Sequence, residues 1–392
     1  MDFSPLEELL YYDFYDDTSY VWDDTSYVWD DTSYVWDDIK MVPKIQEPPA
    51  LESITQFDNK GDIRLIVVEP PSEECPALWY TFIVSSKVMS LACDAWNTML
   101  NGQFKEAQST SGERKIDLPD DDPVALAILL NIAHLRFDLV PSPISFSLLL
   151  KVTVLTDKYD MTRVIRPWAT SWIDGLGSQL SVTSPGYEEW LWIAWELGNK
   201  SKFECLTAHL VKTTRLGKDG KCTTQSGKIL DPCGSFQHFP PDIIESIMEV
   251  RRKAISDLLD VYYSALDNFV EKQMAGLFVC QGRGEDGARK QCDELAFGSL
   301  CLALRKAGLG LERVPASNIT QSVDELLVSL KNTSVSSSHR PSNYSRSDEP
   351  CSNYKLNTTL GEAAQKAQRS APSPVTEVHH NHLARQAQKL GL

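Results

Sequence analysis

The chain has 392 residues, 42% of them apolar, enough for two globular domains of ordinary size with further segments outside them. Its formal charge of −16 is unevenly placed: residues 1–40 hold twelve Asp and Glu against one Lys, so −11 of that total lies in the first tenth of the sequence. No run of Lys and Arg forms a basic stripe, so direct nucleic-acid binding, which needs clustered cations against phosphates, is not expected.

The acidic, aromatic start lacks the basic residues and apolar stretch of a secretory leader. The longest apolar runs, at 125–133 and 148–155, are far shorter than a membrane span. Nine cysteines, an odd number in no regular framework, suit a reducing compartment. The Asn-x-Ser/Thr matches at Asn318, Asn332, Asn343 and Asn357 then read as chance. The expectation is a soluble protein of the cytoplasm, the nucleus or both, with no membrane partner.

Residues 16–36 are three identical copies of Asp-Asp-Thr-Ser-Tyr-Val-Trp, and Asp37-Asp38 begins a fourth. A coiled coil needs two apolar positions three or four residues apart, whereas Tyr, Val and Trp here are consecutive and would spread around a helix. Two readings stand: a disordered acidic segment carrying aromatic stickers, and a multivalent linear motif whose effective concentration rises with copy number. Strand addition is opposed by the flanking Asp pairs. Pro43, Pro48 and Pro49 mark a linker, so residues 1–56 are read as repeat segment and linker, with the fold beginning near Phe57.

From Gly61 onward the pattern changes. Ile63–Glu69 alternates as a strand, Trp79–Val84 is a second strand, and Ser86–Ala92 is a short helix with Ser85 or Ser86 as its N-cap. Trp96, Met99-Leu100 and Phe104-Lys105-Glu106 follow, then a third strand, Lys115–Leu118. Asp120-Asp121-Asp122-Pro123 opens an apolar helix with acids at its positive end and Pro in the first turn. Ser145–Tyr159 and Val164–Trp172 are two more helices, the former ending in Asp157-Lys158-Tyr159-Asp160. His134 falls on the apolar helix and reads as a core or rim histidine.

The junction Phe82-Ile83-Val84-Ser85-Ser86-Lys87-Val88-Met89, the anchor at Trp96 and the Asp157–Asp160 phrase together resemble a BTB/POZ domain, of the form common in fungal proteins. Ser85 stands where that family widely carries His. The resemblance covers about 115 residues. It implies a protein-interaction module that commonly self-associates as a homodimer, with no catalysis and no cofactor. It also implies a partner site at Phe104 and Glu106, which look like the apolar-x-Glu motif that some adaptors insert into a cullin of a ubiquitin ligase. Physically, the aromatic would fill a groove while the acid fixes register. The expected function is a non-enzymatic scaffold. One alternative is a cullin adaptor; another is a transcription-associated regulator using the acidic aromatic N-terminus.

The expected architecture is α+β. A BTB/POZ module at 57–174, a short sheet capping a helical cluster, is followed by an all-α extension at 185–330, with a mostly disordered tail at 331–392. In the extension, Tyr187–Arg215 reads as one or two Trp-rich helices whose aromatics form core. Pro241–Met274 is a long amphipathic helix interrupted on its apolar face by Arg251. Ala296–Leu304 is a short helix, and Ser322–Glu325 is a capping box. Zinc ligands usually come in pairs two to four residues apart, and these cysteines do not. Buried thiols are therefore the default, and Cys280, Cys292 and a tail histidine, His382, are the candidates for a composite metal site. No Walker loop, Gly-x-Ser-x-Gly elbow or His-Glu-x-x-His pair is present.

Overall fold

Strand pairing organises the first part of the structure. The computed structural model describes residues 52–70, 77–102, 114–177, 181, 183–217, 220–230, 239–282, 285–332, 334–338 and 351–392. The chain divides into two compact units, one comprising residues up to Gln179 with Lys389–Leu392, the other Leu180–Gln388. Both sheets and helices are present, so the protein is of mixed α+β architecture.

In the first unit, β1 (Glu52–Gln56), β2 (Ile63–Glu69), β3 (Leu78–Val84) and β4 (Arg114–Leu118) form a sheet of order β1-β3-β2-β4. The central pair is antiparallel, with Leu65 opposite Phe82 and Val67 opposite Tyr80, while the outer strands run parallel to their neighbours. Period-two alternation buries Ile63, Leu65 and Val67 on one face and leaves Arg64 and Ile66 half-buried on the other. Strand β1 lies within the stretch read as linker. Its single apolar residue within the described sheet, Ile54, is exposed, so backbone pairing rather than burial holds it, and no alternation announced it. Gly61 makes the turn into β2, where a Cβ would approach the Val84 carbonyl oxygen to 2.9 Å.

Five helices cover this sheet or pack beside it: α1 (Ser86–Ala92), α2 (Asp94–Asn101), α3 (Pro123–Ala133), α4 (Phe146–Tyr159) and α5 (Arg166–Gly177). Asp122 caps α3 by accepting from the Ala125 N–H, and Ser145 caps α4 by accepting from the Leu148 N–H. Helix α3 is buried from Ala125 to Ile132 and packs on β2, α1 and α4. Of the two serines expected to cap α1, Ser85 is the N-cap residue but its hydroxyl makes no capping bond; the carboxylate of Asp62 instead accepts from both the N–H and the hydroxyl of Ser86, at 2.7 and 2.6 Å. The Asp157–Asp160 phrase has a physical basis. Lys158 and Tyr159 both donate to the buried Asp121 carboxylate, Trp96 stacks on Tyr159 at 4.9 Å, and Asp160 ends α4 in the left-handed region.

The second unit holds α6 (Trp190–Glu196), α7 (Lys200–Thr213), α8 (Ile243–Met274), α9 (Asp286–Lys306), α10 (Val323–Lys331), α11 (Ser352–Arg369) and, as far as Gln388, α12 (Glu377–Leu390). It is not all-α. Between α7 and α8, β5 (Arg215–Leu216), β6 (Cys222–Thr223) and β7 (Ile229–Leu230) make a small antiparallel sheet. Two-residue strands in a polar, turn-rich stretch leave no periodicity to read. Helix α9 begins ten residues before the expected Ala296 because its first turns are polar and exposed. The capping box is present in both directions, Ser322 accepting from the Glu325 N–H and Glu325 from the Ser322 N–H.

The helix at Ser352–Arg369, in a stretch read as disordered, is the largest departure from expectation. Thr376–Leu390, for which a short helix docking back is one of the two readings, is helical from Glu377. Helix α11 places Leu360 and Ala364 in the core with Leu258, Tyr262, Leu300 and Leu326, and Leu356 and Ala367 pack against it. Those four positions recur at helical spacing within a polar sequence, and that stripe is what composition concealed. Helix α12 is held by a bond from Gln386 to Glu196 at 2.6 Å and by His379 Nε2 against the Pro241 carbonyl at 2.8 Å. Gly198, at φ +63°, allows this approach, since a Cβ there would collide with the Ala387 backbone.

Arg251, read as an interruption of α8's apolar face, lies at 2% exposure on that face. Its guanidinium donates to the carbonyls of Thr214 (3.0 Å), Ile319 (3.0 Å) and Gln321 (2.6 Å), tying the end of α7 and the approach to α10 onto α8. Burial lowers its pKa, yet the charge is what three carbonyl acceptors solvate. Arg251→Ala orphans those carbonyls and is expected to cost about 3 kcal/mol. Amide-exchange protection along α8 measures it, and a loss below about 1 kcal/mol would contradict the role.

Candidate interaction groove and candidate metal centre

Helix α3 ends in the first unit with a paired C-terminal motif. The Arg136 N–H returns to the Asn131 carbonyl at 2.8 Å and the Leu135 N–H to Ile132 at 3.1 Å. The residue that turns the chain, normally glycine, is Leu135 at φ +61°. An L-residue in this region costs about 1–2 kcal/mol. Its side chain is 74% exposed, beside Phe137 at 51% and Leu91 of α1 at 87%. Together with Phe57, Val88 and Trp168 these residues line a groove of about 780 Å³. Phe137 and Trp168 are in ring contact at 5.5 Å, and the Arg136 guanidinium lies 5.2 Å from the Phe57 ring centroid.

His134 sits at the groove's edge and is half-buried, as a rim histidine. The Ser85 N–H donates to its Nε2 at 3.2 Å, so the ring proton is on Nδ1 and donates to the Leu130 carbonyl at 2.9 Å. Burial holds its pKa below the ordinary 6.5; the Leu130 bond and Asp58 oppose this, and Arg136 adds to it. A depressed histidine value means that the unfolded chain binds the proton first. Its contribution is complete above pH 6.5 and declines as pH falls from there toward the folded-state value. The first unit is therefore expected to lose stability on acidification through this window more steeply than a His134→Gln variant. Equal slopes in pH-dependent urea midpoints would contradict this.

The second unit gathers three cysteines from separate elements. Cys280 lies on the loop after α8, Cys292 on α9, and Cys351 is the N-cap residue of α11. Their exposures are 2%, 0% and 4%, and their sulfurs all lie within 4.8 Å of one another, with Cys292 and Cys351 at 4.0 Å. Asp293 fixes the surroundings: its carboxylate accepts from the N–H groups of Val279 and Cys280, both at 2.8 Å, and from Asn353 Nδ2 at 2.7 Å. Two donors point at sulfur, the Gly282 N–H to Cys280 at 3.4 Å and Asn353 Nδ2 to Cys292 at 3.6 Å. The Ser337 hydroxyl is 3.4 Å from Cys292 Sγ and 3.2 Å from Cys351 Sγ. Burial, reinforced by the neighbouring sulfurs, pushes the Cys280 thiol above its ordinary value.

Of the residues singled out by sequence, Cys280 and Cys292 do meet, but His382 does not join them. Its ring stacks on Trp195 at 3.6 Å and nearly parallel, anchoring α12, and Cys351 supplies the third sulfur instead. Pair spacing gave no sign of this because each cysteine comes from a different part of the chain. Trp190, Trp192 and Trp195 are core, as read. Phe104 and Glu106, the expected partner site, lie outside the described residues, as does the Asp-Asp-Thr-Ser-Tyr-Val-Trp repeat. No helix among the described residues is long and apolar enough to cross a membrane. No protein-family model matches the chain, and no curated protein matches it by sequence.

Proposed function

We propose that the chain is a non-enzymatic interaction scaffold whose first unit, a BTB/POZ-like module, self-associates through the groove beside Leu135. The observation that carries this reading is the set of exposed apolar side chains at one site, Leu91, Leu135 and Phe137, over a lining that includes Trp168. A leucine held at positive φ and turned to solvent keeps a costly conformation where glycine would relieve it, which points to a use for its side chain. The occupant is a second copy. Charges of both signs lie at the groove, Asp58 in its lining and Arg136 against the Phe57 ring, so a two-fold arrangement can set opposite charges across an apolar centre. The order of strands and helices from β2 to α5 supports the module assignment, since it is the order the resemblance implied.

Leu135→Gly separates stability from association. Relief of about 1–2 kcal/mol of backbone strain outweighs the roughly 0.4–1 kcal/mol by which glycine favours the unfolded chain. The variant is thus expected to be at least as stable as wild type. Light scattering on the full chain is expected to give twice the 44.0 kDa chain mass for wild type and a single-chain mass for Leu91→Asp/Leu135→Gly. A monomeric wild type, or a double variant that remains dimeric, would overturn the reading.

A further inference from the structure

The geometry points to a thiolate-bound zinc ion at Cys280, Cys292 and Cys351 in the second unit. This stands independently of the interaction reading. With Zn–S bonds of about 2.3 Å, tetrahedral geometry separates sulfurs by about 3.8 Å. The 4.0 Å between Cys292 and Cys351, with all three sulfurs inside 4.8 Å, is close to that separation. Cysteines buried merely as small apolar groups would be surrounded by hydrocarbon. These are met by N–H donors from Gly282 and Asn353, with a buried carboxylate, Asp293, orienting both the Cys280 loop and Asn353. That is the arrangement of outer hydrogen bonds that holds metal ligands in place.

Cys351 is the N-cap residue of an 18-residue helix, and its sulfur makes no bond that caps the helix. Binding exchanges each thiol proton for a bond to zinc, and the protons leave to solvent. Ser337, half-buried and within 3.4 Å of two sulfurs, lies where its own hydroxyl or a water completes four-coordination. Three sulfur ligands select zinc over magnesium or calcium, which prefer oxygen. The site would pin the loop after α8, the start of α9 and the start of α11 together, so its role is structural.

The test uses the full chain, purified under reducing conditions, stripped with a chelator and titrated with Co²⁺. The expected result is about one equivalent bound per chain, with a thiolate-to-cobalt charge-transfer band that Zn²⁺ abolishes by displacement. In wild type, zinc is also expected to slow alkylation of Cys280, Cys292 and Cys351 by at least roughly tenfold, while the exposed Cys205 reacts as before. Cys292→Ser and Cys351→Ser are expected to lose the band, and Cys301→Ser to keep it. The titration and alkylation arms need no variant, so they stand even if the serine variants fold poorly. Absence of a charge-transfer band in wild type, or alkylation of the three cysteines unaffected by zinc, would overturn the site.

Discussion

A buried cation among backbone carbonyls is the constraint on which the second unit depends. A guanidinium inside a helical core is costly to desolvate, and it persists only where acceptors replace water. Arg251 finds three of them, at Thr214 just past α7 and at Ile319 and Gln321 in the segment before α10, carbonyls that lie outside the α-helices. The tie therefore does two things. It solvates the charge, and it fixes where α7 stops and where the chain returns to begin α10. The apolar face of α8 packs beyond it against α9, α10 and α11. The first unit uses the same device with the sign reversed: Asp121, buried, accepts from Lys158 and Tyr159 and joins the entry of α3 to the end of α4.

Each unit also keeps one feature that stability alone does not explain. In the first, Leu135 occupies a backbone conformation that glycine would hold more cheaply, and its side chain faces solvent beside two other exposed apolar groups. In the second, three sulfurs converge in a polar-lined interior where aliphatic residues would pack without needing hydrogen bonds. Local departures from the lowest-energy choice of this kind concentrate where a protein binds something.

Much of the first unit was legible because its elements bury one continuous apolar face each. The alternation in Ile63–Glu69, the capped start of α3 at Asp122-Pro123 and the Asp157–Asp160 phrase were all readable in one dimension. What escaped had no such face. Strand β1 is secured by pairing with β3, and the β5–β7 sheet by pairs of residues too short to show a period. Helix α11 hides an apolar stripe, Leu356, Leu360, Ala364 and Ala367, in polar surroundings. The candidate sites were legible in part. Cys280 and Cys292 were visible as candidates, but Cys351 is brought to them only by the docking of α11, and the groove depends on an unusual turn that no composition reveals.

Amide hydrogen exchange on the full chain, compared at low and high protein concentration, tests self-association through the groove most directly. The expected result is slower exchange at high concentration confined to the end of α1 and to the turn after α3, around residues 88–92 and 132–137. Exchange in those segments that does not change with concentration, or protection that appears only in the second unit, would contradict it.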